Sequence, residues 1–264
     1  MFILLPPSEG KATSGEGPRL DPGALVLPEL APARERVVAA LTELCSGPED
    51  TAREVLGLSA GQADAVKRNL DLTTAPTLRA ADLYTGVLYD RLGLPGLLAE
   101  HGDRARERIL VFSGLWGVVG AADQLPPYRL SMGVKLPPLG ALGAYWRKAM
   151  TAPLGELTEG SLLVDCRSAA YAAAFKPTGA AAERTVAVRV LREREVAGLT
   201  KRSVVSHMAK AARGDIARAL ISENVQAETP EELVSALRDL GHTVELPPAA
   251  RPGTARTMDV VIRD

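Results

Sequence analysis

The sequence predicts an α/β (α+β) fold, a single compact unit over residues 1–264 with a mixed β-sheet flanked by helices. Three observations predict it. Short apolar runs rich in Val, Ile and Leu alternate with longer stretches of helical periodicity, the order of interleaved strands and helices. No internal repeat of roughly 20–50 residues recurs, which excludes solenoids and propellers. Hydrophobic residues make up 46% and charged residues 24% of the chain, close to the composition of globular proteins, so a core can form without disordered or fibrous tracts.

Met1–Leu5 opens the chain as a buried strand. Its apolar run lacks a basic leader and meets Pro6-Pro7 at once, so it reads as a strand rather than a signal peptide. No stretch approaches the roughly 18–20 apolar residues of a membrane span. Cys45 and Cys166 lie far apart and without metal-ligand spacing, which fits a reducing cytoplasm. The Gly-, Pro- and Ser-rich segment from Pro6 to Pro28 is too long for a simple connection, and loops of that length commonly serve or cover a site.

Ala33–Cys45 has helical spacing through Val37, Val38, Leu41 and Leu44. Glu49–Leu56 forms a second helix stopped by Gly57, and Gln62–Leu70 resumes the spacing through Ala63, Val66 and Leu70. Residues 49–70 therefore read as a helix-hairpin-helix-like segment around Gly57-Leu58-Ser59-Ala60-Gly61. Further strands are expected at Arg108–Phe112, Ser161–Cys166, Thr185–Leu191, Ser203–Val205 and Met258–Ile262. Ser206 is the expected N-cap of a helix reaching Asn224. Its Met208, Ala212, Ile216, Ala219 and Leu220 share an apolar face, and His207, Lys210 and Arg213 line its flank.

A net charge of -1 argues against a protein that coats nucleic acid, because non-specific affinity comes from Lys and Arg neutralising phosphates. A local patch can still bind. Main-chain N–H groups at Gly57, Ser59 and Gly61, with Lys67 and Arg68 beside them, suit the backbone of double-stranded DNA without sequence readout. The alternative is a different class of function. Ser113-Gly114-Leu115-Trp116-Gly117 follows a strand, and Pro126-Pro127 stiffen the approach to Tyr128 and Arg129, an aromatic beside a guanidinium. With Ser8, Lys11, Thr85, Tyr171, Lys210 and Arg213 these residues form a candidate pocket for a small anionic or heteroaromatic metabolite. Lys11, Tyr171 and Lys210 are its candidate acids or bases. No HExxH, GxSxG, Walker loop or GxGxxG is present, and neither a cofactor nor a metal site is expected.

The stretch SGLWGVVGAADQLPPYRLSMGVKL resembles a segment of the bacterial YaaA peroxide-stress family that reads roughly SGLYG and then PYRLEMG. LLPPSEGK (4–11), LYTG (83–86), LGAYWRK (142–148), LLVDCRSAAY (162–171), AKAARG (209–214) and Ile221-Ser222-Glu223-Asn224 follow the family in order, so the likeness covers nearly the whole chain. Two departures mark a divergent branch. Alanine stands before Tyr171 where the family often has an acid, and Ser131 stands where it commonly has glutamate. The resemblance implies protection from hydrogen peroxide, lowering of free iron, and DNA binding through a helix-hairpin-helix within an unusual α/β fold.

Overall fold

The apolar runs become strands of one sheet. The computed structural model describes residues 1–196, 199–204 and 207–263. The strands are β1 (Phe2–Leu5), β2 (Ile109–Ser113), β3 (Gly117–Gly120), β4 (Leu163–Asp165), β5 (Thr185–Val196), β6 (Leu199–Val204), β7 (Val244–Glu245) and β8 (Arg256–Arg263). Their order is β7-β8-β5-β4-β1-β2-β3, with β6 paired to the outer part of β5. From β8 to β2 the pairings are parallel, while β3, β6 and β7 run antiparallel to their neighbours. Helices cover both faces of a parallel sheet, which is why β2 and β4 are buried at every position.

The principal helices are α1 (Ala31–Ser46), α2 (Glu49–Leu56), α3 (Asp64–Arg68), α4 (Val87–Leu92), α5 (Leu142–Leu157), α6 (His207–Ser222) and α7 (Pro230–Asp239). Helix α2 ends at Gly57, whose φ of 65° is left-handed. A 3₁₀ turn over Ala60–Gln62 follows, capped reciprocally by Ser59 and Gln62, and leads into α3. The second helix stops at Arg68, two residues short of the expected Leu70, because Asn69 turns inward as a buried C-cap. The expected cap Ser206 and strand end Val205 lie outside the described residues, as does the His207 side chain.

Several elements depart from the sequence pattern. Gly117, at φ 73°, turns the chain back so that β3 pairs with β2, where periodicity suggested only a glycine turn. Strand β5 runs to Val196 and forms a hairpin with β6, and its outer half is too polar to register as an apolar run. Short helices at Ala80–Leu83, Leu94–Glu100 and Gly102–Arg108 fill a stretch without a clear period. The long Pro6–Pro28 segment is tied down at both ends. Lys11 bridges Tyr84, Gly17 N–H donates to the Thr77 carbonyl, and Leu25 and Leu27 enter the core. The fully buried Arg34 of α1 clamps its far end by donating to the carbonyls of Val26, Leu27, Trp116 and Val118.

The strand order positions the site. From β1 the chain steps to β2 on one side, then returns to β4, β5 and β8 on the other, so the winding reverses between β1 and β4. In open parallel sheets the loops leaving the carboxyl ends of two such strands part and leave a crevice. Leu4 pairs with Asp165, so both strands end level, and the loops that leave them carry Ser8, Lys11 and Tyr171. Among the described residues no helix is long and apolar enough to cross a membrane.

Candidate functional site

Lys11 is the centre of this crevice. Its Nζ donates to the Ser8 carbonyl at 2.6 Å and lies 4.7 Å from the centroid of the Tyr128 ring and 5.5 Å from that of Tyr84. The aromatic faces favour an ammonium. Desolvation opposes it and wins: burial first, then the Arg129 charge, lower the pKa from the ordinary 10.5 to about 7, with Arg68 adding to the effect and Glu9 opposing it. The residue as a whole keeps some exposed surface, but Nζ itself is crowded by protein atoms, and it is the surroundings of Nζ that govern its proton.

Beneath the lysine runs a chain of hydroxyls. Tyr128 Oη lies 2.9 Å from Tyr84 Oη and 2.7 Å from Ser113 Oγ, and Ser113 Oγ accepts from the N–H groups of Leu115 and Trp116. Both tyrosines are buried and their pKa values are raised, chiefly by desolvation, so they are neutral phenols. Ser113 is wholly buried, and a side chain on Gly114 would meet the Leu130 carbonyl at 2.6 Å. Ser113, Gly114 and Tyr128 are therefore buried behind Lys11, and the mouth of the crevice is made by other groups.

Arg129 stands at that mouth. Its guanidinium donates to the Glu9 carbonyl at 2.8 Å and lies 3.6 Å from the Glu9 carboxylate, which is itself 88% exposed. Its backbone is fixed to α3 by two reciprocal bonds with the buried Asn69 side chain, each 2.9 Å. Ser8 Oγ donates to the Gly10 carbonyl and accepts from Thr85 N–H at 3.1 Å, so Ser8 and the exposed Thr85 form the opposite lip. Tyr171 leans in from the loop after β4, its Oη accepting from Met132 N–H at 3.4 Å, and burial raises its pKa.

Seven predicted residues thus come together through these contacts: Ser8, Lys11, Thr85, Ser113, Tyr128, Arg129 and Tyr171. Lys210 and Arg213 share the flank of α6. Lys210 is exposed, while Arg213 is half-buried and donates to the Val188 carbonyl at 3.0 Å. Among the described residues no hydrogen bond or ion pair joins either to the Lys11 cluster. Gly57, Ser59, Gly61 and Lys67 are exposed on the α2–α3 segment. Sequence reasoning passed over Tyr84, Glu9 and Asn69. Tyr84 and Glu9 lie inside motifs that were read for their neighbours, and nothing local marks Asn69. Two surface concavities of about 440 and 380 Å³, at the β5–β6 hairpin and between α6 and β8, contain none of the predicted site residues.

A family model described as peroxide stress protein YaaA matches residues 1–245. The chain is 52% identical over 264 residues to the UPF0246 protein SCO2297 of Streptomyces coelicolor, covering 100% of this chain and 99% of the relative. It is 38% identical over 268 residues to a UPF0246 protein of Corynebacterium efficiens, covering 99% and 100% of the two chains. A UPF0246 protein of Limosilactobacillus fermentum is 31% identical over 232 residues, 85% of this chain and 87% of its own. With the cluster in place and the likeness running almost end to end, the chain belongs to the peroxide stress protein YaaA family.

Proposed function

We propose that this protein acts in the cytoplasm under peroxide stress by binding double-stranded DNA through its phosphate backbone, along a surface that runs from the α2–α3 hairpin into the Lys11–Arg129 crevice. One observation carries the reading. The end of α3 and its C-cap belong to both places: Arg68 acts electrostatically on Lys11, and Asn69 pins the Arg129 backbone. The Gly57 N–H is taken by the Glu54 carbonyl at 3.1 Å and the Ser59 N–H by Gln62 Oε1 at 3.1 Å, so a DNA strand crossing the hairpin would rest on the exposed Gly61 and Lys67 and have the crevice cations beside it, a local run of positive charge on a chain whose net charge is -1.

A second reading has its own support. A lysine with a proton affinity near neutrality, beside an arginine and hydroxyls, is the equipment of an enzyme that takes a small anionic metabolite. The two readings divide on Arg129. Fluorescence anisotropy with duplexes of unrelated sequence should show similar affinities for the wild type. Lys67→Ala with Arg68→Ala should lower all of them alike and flatten the salt dependence by roughly one to two phosphate contacts. Arg129→Ala should weaken duplex binding roughly ten- to a hundredfold, the loss of a charge-assisted contact of about 1.5–3 kcal/mol. Duplex affinity untouched by all three substitutions would overturn the DNA reading.

A further inference from the structure

Lys11 is poorly placed for an ordinary phosphate-contacting lysine. Such a residue works best solvated, as the exposed Lys67 and Lys210 are. Lys11 is instead desolvated against two buried phenols, with Arg129 and Arg68 near it. The acid nearest in sequence, Glu9, is already engaged by Arg129. Around Nζ the charged and titratable groups are Arg129, Arg68, Glu9, Tyr84 and Tyr128, with Tyr171 beside Arg129. This neighbourhood repels a proton from the amine and attracts a phosphate to the guanidinium groups beside it.

From that juxtaposition we propose that the Lys11 ε-amine is a nucleophile that condenses with the aldehyde of a phosphorylated sugar whose phosphate is held by Arg129 and Arg68. The inference rests on the reading that a phosphate backbone or phosphate ester lies along this surface. Near pH 7 a substantial fraction of the amine is neutral, as nucleophilic attack requires. The nitrogen lone pair forms the N–C bond while the carbonyl π pair moves to oxygen, which takes a proton from nitrogen. The resulting carbinolamine then loses water to leave an imine. No oxidant or reductant is consumed, and hydrolysis reverses the step. An aldehyde next to a phosphate has two sources: the ring-opened deoxyribose of an abasic site in DNA, or a free sugar phosphate.

The test uses the full chain with sodium cyanoborohydride, which reduces an imine by hydride transfer to a stable secondary amine. One arm contains a duplex with a single abasic deoxyribose, a second the same duplex with a tetrahydrofuran analogue that has no aldehyde, and a third free ribose 5-phosphate. Intact-duplex affinity is measured by anisotropy on the same samples. The expected result is one adduct, mapped by peptide mass to Lys11, absent with tetrahydrofuran and lost in Lys11→Arg and Lys11→Met variants that fold, each showing a single cooperative melt. Its initial rate should rise with pH to a half-maximum near 7. Adduct with the abasic duplex alone assigns DNA as the source, and adduct with ribose 5-phosphate alone assigns a metabolite. No adduct in either arm overturns the proposal, as does one spread over Lys67, Lys135 and Lys210 or undiminished by both variants. Intact-duplex binding without adduct sinks this inference and leaves the DNA reading standing. Adduct without intact-duplex affinity does the reverse.

Discussion

Two buried cations, Lys11 and Arg34, solve desolvation in opposite ways. Arg34 satisfies its fork with four backbone carbonyls and keeps its charge although burial lowers its pKa to about 10. Removing the fork leaves several buried carbonyls unpaired, each costing about 1–3 kcal/mol, so Arg34→Met should lower stability in urea melts by at least about 3 kcal/mol. Lysine cannot reproduce the fork, and Arg34→Lys should recover little of that loss. Lys11 has one carbonyl partner and cationic neighbours, and it yields its proton instead. Its folded pKa of about 7 lies below the ordinary 10.5, so between those values the unfolded chain binds more protons and stability rises with pH. The full penalty is present below pH 7. Lys11→Met should therefore stabilise the protein most at pH 6, with the gain shrinking steadily toward pH 10. A gain independent of pH would show that Nζ holds its proton in the folded state throughout this range.

Glycines divide at the level of elements into those that turn the chain and those that let elements touch. Gly214 lies in α6, where a Cβ would sit 2.3 Å from the Leu88 carbonyl of α4, so the two helices pack backbone to backbone. Gly57 has open space around it, and only its left-handed φ resists a side chain. Gly57→Ala should cost about 1–2 kcal/mol through conformation alone. Gly214→Ala should reach or pass the upper end of about 1–3 kcal/mol, because α6 must move off α4. Chemical denaturation ranks the two, and the reverse order would mean that α6 and α4 are not held in close contact. The sequence carries no sign of this difference. A glycine inside a helical period looks the same whether it is tolerated or required, and only its partner across the interface decides. The same limit explains the missed β3. Gly117 reads as a turn from local chemistry, but the pairing of Gly117–Gly120 with β2 is set by tertiary contacts that local chemistry does not show.

For the molecule as a whole, the parallel core was legible because strands buried on both faces appear as unbroken apolar runs, while the antiparallel hairpin β5–β6 was only half legible because its outer residues face water. Within the crevice, Lys11, Thr85, Arg129 and Tyr171 could be named from motifs. The inward turn of Asn69 and the stacking of Lys11 on Tyr84 could not, since both join segments distant in sequence. If the protein binds DNA as proposed, that juxtaposition should make the binding sensitive to pH. A net charge of -1 supplies no long-range attraction, so in the proposed complex affinity would come from local cations, Lys67, Arg68 and Arg129, joined by Lys11 only while it is protonated. If all four meet phosphates, log affinity should fall with log salt at a slope of about −3 to −4. At pH 6 Lys11 is mostly protonated in the free protein and counts among them. At pH 8.5 it is mostly neutral, so binding either forgoes that contact, making the slope shallower by about 0.9, or takes up a proton, making affinity fall as pH rises. Both outcomes weaken binding between pH 6 and 8.5, and Lys11→Met should abolish the difference while leaving the Lys67 and Arg68 share of the slope intact. Anisotropy titrations over a salt series at the two pH values measure it directly. Wild-type binding identical at both would place Lys11 outside the phosphate path and confine the DNA surface to the hairpin.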